Sequence, residues 1–191
     1  MAYVLFISEQ KLKDSTAINL NVDTNILLPY ILKAQRIYCE PKLGTPLYSK
    51  IESLITAGTL GSGGNEAYET LVDTYIGDML PSWAFYMCIP YLRFKVENGN
   101  IYNKVSETGT ALSTAEAQHL REEIRNTAEY FTERMITYIT NNTSSFPEYG
   151  TASGSEISAD KNSFYNGMNL ERPMNRGTKL TLRDFLTPDL T

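Results

Sequence analysis

Apolar residues recur at three-and-four spacing in three long stretches of the chain, and each predicts helices with one buried face. The first stretch is residues 23–55. Ile26, Leu27, Tyr30, Ile31, Ala34, Ile37 and Tyr38 form one stripe, and Leu47, Ile51, Leu54 and Ile55 form a second. Asp23 or Thr24 is placed to cap the first helix, and Pro29 suits only its first turn or thereabouts. Between the stripes stands Leu43-Gly44-Thr45-Pro46. Gly44 is free to take the backbone angles of a corner, Thr45 offers an N-cap hydroxyl, and Pro46 has a φ suited to the first helical position. The pattern predicts two helices meeting at a fixed corner with no reactive group in it.

The second stretch follows a loop in which Gly58, Gly61, Gly63 and Gly64 mark a change of direction. Asn65 is placed to cap the next helix, with Tyr68, Leu71, Val72, Tyr75, Ile76 and Met79 on its inner side. Pro81 restarts or kinks it. Residues 82–94, SWAFYMCIPYLRF, are apolar on every side and predict a helix at the centre of a bundle. Trp83, Phe85, Tyr86, Tyr91 and Phe94 read as core, not as a ligand pocket, because no convergent polar groups accompany them. Residues 97–112 predict a long exposed loop, with 101–105 as one edge of a hairpin. The third stretch opens on a capping box, Ser113-Thr114-Ala115-Glu116, and runs to about Asn141. Ala117, Leu120, Ile124, Ala128, Phe131, Met135 and Tyr138 form its stripe. Arg121, Glu122, Arg125, Glu129 and Glu133 form a charged face, with Arg125 and Glu129 at the supportive spacing. A helix of ~28 residues is about 42 Å long, so one end projects from a small bundle. Ahead of these stretches, residues 3–7 predict a strand or extended lead-in, and Ser8 caps a short helix from Glu9 to Lys13.

These elements predict an all-α fold: a compact bundle of about four to five helices over residues 1–142. From residue 143 the composition turns to Ser, Gly, Asn and Pro without a helical period. Residues 143–191 read as an extended, mostly irregular C-terminal arm. Taken alone it buries too little apolar surface to offset its ordering entropy. Yet Phe146, Tyr149, Phe164, Tyr165, Leu180, Leu182, Phe185 and Leu186 are spaced along it as anchors, and residues 178–186 alternate like a strand. This predicts partner binding: an arm that orders against a neighbouring chain by strand addition or by filling grooves.

Composition narrows the function classes. No apolar run reaches the ~20 residues of a membrane span, the longest being broken by Pro81 and Pro90, and no signal-peptide pattern opens the chain. Cys39 and Cys88 fall inside predicted helices and read as reduced core thiols, which implies a soluble protein of a reducing cytoplasm. The net charge of -5, without a cluster of Lys and Arg, argues against a primary nucleic-acid binder. The glycine loop lacks the Lys-Ser/Thr of a phosphate cradle. His119 is the single histidine, too few for a zinc site, and no nucleophile elbow accompanies it. Glu122 and Glu123 diverge on their helix. No catalytic, cofactor-binding or metal-binding residue is predicted, and no cofactor. Two other classes stay open on the residues alone: a cytoplasmic helical adaptor or regulator that binds a host or phage protein through its arm, and a small enzyme with a site assembled across helices.

The series ISEQKLKD, INLNVD, ILLPYILKAQRIYCEPKLGTPLYSKI and YETLVDTYIGDMLPSWAFYMCIPYLRFKV resembles the head–tail connector (adaptor, head-completion) proteins of tailed bacteriophages. The nearest likeness is to the ring-forming connectors of crAss-like phages. The resemblance covers roughly residues 7–140, and its most specific part is Gln35-Arg36-Ile37-Tyr38 with Leu43-Gly44-Thr45-Pro46-Leu47-Tyr48. It implies a non-enzymatic virion protein of the phage neck, assembled in the bacterial host cytoplasm. Such proteins form homo-oligomeric rings, as a rule dodecamers, that join the portal protein to the tail or a second connector ring. Genomic DNA passes through the channel without specific binding, and no membrane is involved. Net acidity suits a channel that repels phosphates. The arm lies outside the resemblance.

Overall fold

Two long helical rods, each interrupted by a π-helical segment, organise the chain. The computed structural model describes residues 3–97, 100–103 and 113–161. The first rod is α2 (Thr24–Ala34), a π segment (Gln35–Cys39) and α3 (Glu40–Leu43). The second is α5 (Glu66–Thr70), a π segment (Leu71–Ile76) and α6 (Gly77–Arg93). Between them lies α4 (Thr45–Ala57), and ahead of them α1 (Glu9–Ser15). Strands β1 (Phe94–Glu97) and β2 (Asn100–Asn103) form an antiparallel hairpin after the second rod. α7 (Thr114–Asn141) is the longest element, at 28 residues. The fold is an all-α bundle, as its periodicities predict, with the hairpin as an appendage.

Aromatic contacts give the packing directions. Tyr30 stacks on Tyr91 and Tyr38 on Trp83, so α2 runs antiparallel to α6. Tyr75 stacks on Tyr138, while Trp83 Nε1 donates to Thr132 Oγ1 at 3.0 Å. α7 is therefore antiparallel to the second rod as well. α6 is the central element, packed by both α2 and α7.

The first π segment redirects the stripe of the first rod. A π turn inserts one residue into the helical register. Leu27, Ile31 and Ala34 point inward as predicted, but from there Gln35 and Cys39 are buried, and Ile37 turns outward. Gln35 is a polar node in the core. Its Oε1 accepts from the Phe6 amide at 3.0 Å, and its Nε2 donates to Val4 O at 2.9 Å and to Tyr48 Oη at 2.8 Å. One side chain thus fixes the lead-in and α4 to the first rod. Residues 3–7 form no strand; they are the extended lead-in, with Phe6 and Ile7 buried.

The caps are mixed. Ser8 Oγ accepts from Lys11 N, Asp23 Oδ1 accepts from Asn25 N, and the capping box of Ser113 and Glu116 is closed in both directions. Hydrogen bonds from Ser113 hold the Glu116 carboxyl below the usual range. Thr45 and Asn65 differ from expectation. Gly44 occupies the N-cap of α4, and Asn65 donates to Thr59 O without accepting a capping bond. Pro29 sits beyond the first turn of α2, and Pro81 does not restart a helix but lies with Pro90 inside α6. Each forfeits one backbone bond while its helix stays packed against neighbours.

The buried stripe of α7 is rotated from the predicted one. Ala128 and Met135 are buried as expected, joined by Thr132, Ile136 and Ile139. Thr132 turns inward because it answers the Trp83 indole and itself donates to Ala128 O at 2.7 Å. Residues 114–127 contribute no buried side chain, and Leu120 is exposed. The aromatic segment of α6 is also less enclosed than its composition predicts: Trp83, Ala84 and Cys88 are buried, but Tyr91 is half exposed.

Residues 143–161, expected in the arm, lie on the helical domain. A 3₁₀ turn (Thr143–Ser145) leads to Phe146, which is 1% exposed and packs edge-on to Tyr68 and Tyr138. Phe146, read from the sequence as a partner anchor, is a core residue of its own chain in this structure, because the turn directly after α7 folds it back between two helices.

Candidate functional site

The corner at Gly44 is clasped by a returning segment, residues 157–160. Helix ends leave backbone groups without intrahelical partners, and at this corner the end of α3 and the start of α4 meet. Thr45 N donates to Ile157 O at 3.0 Å, and Ile157 N donates back to Thr45 Oγ1 at 3.0 Å. Asp160 N donates to Pro41 O at 2.8 Å. The strap thus serves an orphan amide of one helix and an orphan carbonyl of the other. Thr45, expected as a cap, spends its hydroxyl on this strap. Lys42 Nζ completes the clasp 2.7 Å from Asp160 Oδ2, with the lysine side chain almost wholly buried. Gly44 makes the approach possible: its φ is +76°, and a Cβ there would stand 2.9 Å from Ala159 N.

Beneath the strap is a small cavity of about 90 Å³, lined by Ile37, Tyr38, Pro41, Lys42, Trp83, Thr132 and Asp160. A shallow groove of about 380 Å³ runs along α7, between Tyr75, Tyr130, Glu133, Arg134, Tyr138 and Asn141. Arg134 bridges its floor, bonded to Asp78 at 3.1 Å and lying over the Tyr75 ring. A third groove, of about 400 Å³, lies between the start of α1 and the second rod, with Lys11 and Asp73 in its walls.

The buried thiols and phenol hydroxyls are held neutral. Burial pushes the Cys88 thiol up to about 12 and the Cys39 thiol up further. Burial likewise raises the Tyr48 hydroxyl to about 12, against the opposing hydrogen bond with Gln35. Burial, then the Glu148 carboxylate that Tyr68 Oη contacts at 2.7 Å, raise the Tyr68 hydroxyl. Among the described residues no three His, Cys, Asp or Glu side chains converge as metal ligands would, and no helix is long and apolar enough to cross a membrane.

The predicted arm anchors divide. Phe146 is in the core. Tyr149 is half-buried against it, with the Lys161 ammonium over its ring, and its hydroxyl has no hydrogen-bond partner among the described residues. Phe164, Tyr165, Leu180, Leu182, Phe185 and Leu186 lie outside the described residues. Sequence reasoning missed the strap, whose residues carry no period, and Tyr130. Tyr130 is visible in the sequence as an aromatic on the polar side of the α7 stripe.

A protein-family profile described as "Family of unknown function (DUF6712)" matches residues 39–158. The matched span begins at the end of the first π segment and ends within the strap, so it takes in the corner, α3 and α4, and the Ile157 end of the strap but not Asp160. No curated protein and no solved structure matches the chain.

Proposed function

The chain belongs to the DUF6712 family, a family of unknown function, and we propose that it is a structural, non-enzymatic virion protein. In this reading it is one subunit of a ring at the neck of a tailed bacteriophage, joining the portal protein to the tail or to a further connector ring. The ring is a dodecamer, as in the connectors that the sequence resembles, and genomic DNA passes through its channel without specific binding. The subunits assemble in the bacterial host cytoplasm.

The observation that carries the proposal is the open half of α7. Residues 114–127 include the apolar stripe Ala117, Leu120 and Ile124, yet none of these is buried among the described residues. A helix that extends an apolar stripe past its own bundle is equipped to pack on another subunit. The clasped corner supports the same reading, since a ring needs wedges of fixed angle. Gly44 and Thr45, which shape that corner, lie in the part of the sequence that carries the resemblance.

Cryo-electron microscopy of purified phage particles, with mass spectrometry of their proteins, tests the proposal. The expected result is a ring of this chain in contact with the portal. Absence of the chain from particles overturns it.

A further inference from the structure

The outward faces of α2 and α7 carry opposite charge, and each combines it with exposed apolar surface. On α2 and its π segment, the side away from the buried Leu27 and Ile31 presents Ile26, Lys33, Arg36 and Ile37. Ile26 and Ile37 are 38% and 41% exposed. Lys33 lies over the Tyr30 ring and Arg36 over the Tyr3 ring, and neither forms an ion pair among the described residues. No acidic residue occurs from Thr24 to Cys39.

On α7, the side away from Ala128 and Met135 presents Tyr130, the most exposed large hydrophobic side chain described, at 64%. Glu123 and Glu133, two turns before it and one turn after, are exposed on the same side. Arg121 lies over Tyr86 and Arg125 pairs with Glu129, while Arg134 lines the same groove as Tyr130 and Glu133 with its charge matched by Asp78. With that pair balanced, the excess charge of this face is acidic and its centre is aromatic.

Both faces point away from the bundle on separate helices, so one chain cannot bring them together. Two chains can. We propose that the basic, apolar face of α2 in one copy packs on the acidic, aromatic face of α7 in a second copy, with Lys33 and Arg36 against Glu123 and Glu133. The contact joins two different surfaces, so it is head-to-tail: the first copy keeps a free α7 face and the second a free α2 face. Repetition of such a contact closes a ring when the rotation permits. The inference rests on the ring reading above and names the surfaces that build the ring.

Sedimentation velocity on the full chain over a concentration series, at low and high salt, provides the test. Wild-type protein self-associates, and more weakly at high salt, because exposed charge pairs are screened. K33E/R36E and E123K/E133K each weaken self-association by about tenfold or more. Thermal melts of both variants match wild type, as all four side chains are exposed. An equimolar mixture of the two variants associates again, since a reversed α2 face then meets a reversed α7 face. The chain carrying all four substitutions also self-associates. A monomeric wild type at every concentration, reversals without effect, or failure of both mixture and quadruple variant overturns the contact. If the contact fails while the chain is found at the neck of particles, the neck reading stands. If the chain is absent from particles yet associates as described, the contact stands without it.

Discussion

Lys42 and Asp160 stand 2.7 Å apart, Nζ to Oδ2, and join the last turn of α3 to a strap 118 positions later in the chain. The lysine side chain is 7% exposed and the aspartate side chain 46%. Removing the carboxylate takes a counter-charge 2.7 Å away from a buried cation, which is costlier than removing both groups. Asp160→Ala is expected to lower stability by about 1–2 kcal/mol, a value below that of a wholly buried pair because water reaches Asp160. Lys42→Met together with Asp160→Ala recovers part of that loss. Urea unfolding of the single and double variants checks the sign of the coupling.

Gly44 and Gly58 both have positive φ, +76° and +65°, but only Gly44 faces backbone where a Cβ would go. Gly58→Ala carries the left-handed backbone penalty of about 1 kcal/mol. Gly44, with ψ at 153°, lies outside the left-handed helical region in backbone space open almost only to glycine, and a Cβ there must also push the strap away at Ala159, so about 2–4 kcal/mol is expected. Thermal melts of the two variants side by side check the order of the losses. Equal losses would show that neither the backbone region nor the strap adds to the cost at Gly44.

What the sequence disclosed was what depends on near neighbours along the chain. Ser8, Asp23 and the Ser113–Glu116 box act on amides within three residues, and their pattern is complete in a short window. The Leu43–Pro46 corner was legible for the same reason. Gln35 was not, because a regular 3.6-residue period places Ile37 inward, and only the π segment brings Gln35 and Cys39 to the core in its stead. The strap was hidden by distance: Ile157 and Asp160 sit in a stretch without period, and their partners Pro41, Lys42 and Thr45 are more than a hundred residues away. The charged face that the sequence predicts for α7, from Arg121 to Glu133, leaves out Glu123, and Tyr130 lies off the apolar stripe, so the helix period alone does not single out either.

Alkaline pH should destabilise the fold. Cys88 and Tyr48 are each raised to about 12, from ordinary values of 9.0 and 10.0, and Cys39 and Tyr68 are raised as well. A raised pKa in the folded state means that the unfolded chain releases its protons first. Their contribution is therefore complete below about pH 9 and is lost as pH climbs toward 12. The urea midpoint is expected to be level between pH 7 and 8.5 and to fall progressively above pH 9.5. Tyr48→Phe removes one of the contributing groups and should make the decline shallower. A midpoint that holds to pH 11 would contradict the enclosure of these groups.

Phe146 extends the packed core past the end of α7. Its ring lies between Tyr68 of the second rod and Tyr138 of α7, with centroid separations of 5.3 and 5.9 Å. The turn that carries it also brings Glu148 to the Tyr68 hydroxyl. Phe146→Ala opens a cavity among aromatic side chains and is expected to cost about 3–5 kcal/mol. A chain ending at Asn142 loses Phe146, Glu148 and the whole strap, so it should melt far below a chain ending at Lys161. Circular dichroism melts of the two truncations, with Phe146→Ala in the longer one, test this directly. If the chain ending at Asn142 melts cooperatively at the temperature of the longer one, residues 143–161 contribute nothing to the bundle. If instead Phe146→Ala accounts for most of the difference, the aromatic plug stabilises the bundle and the strap serves chiefly to fix the corner.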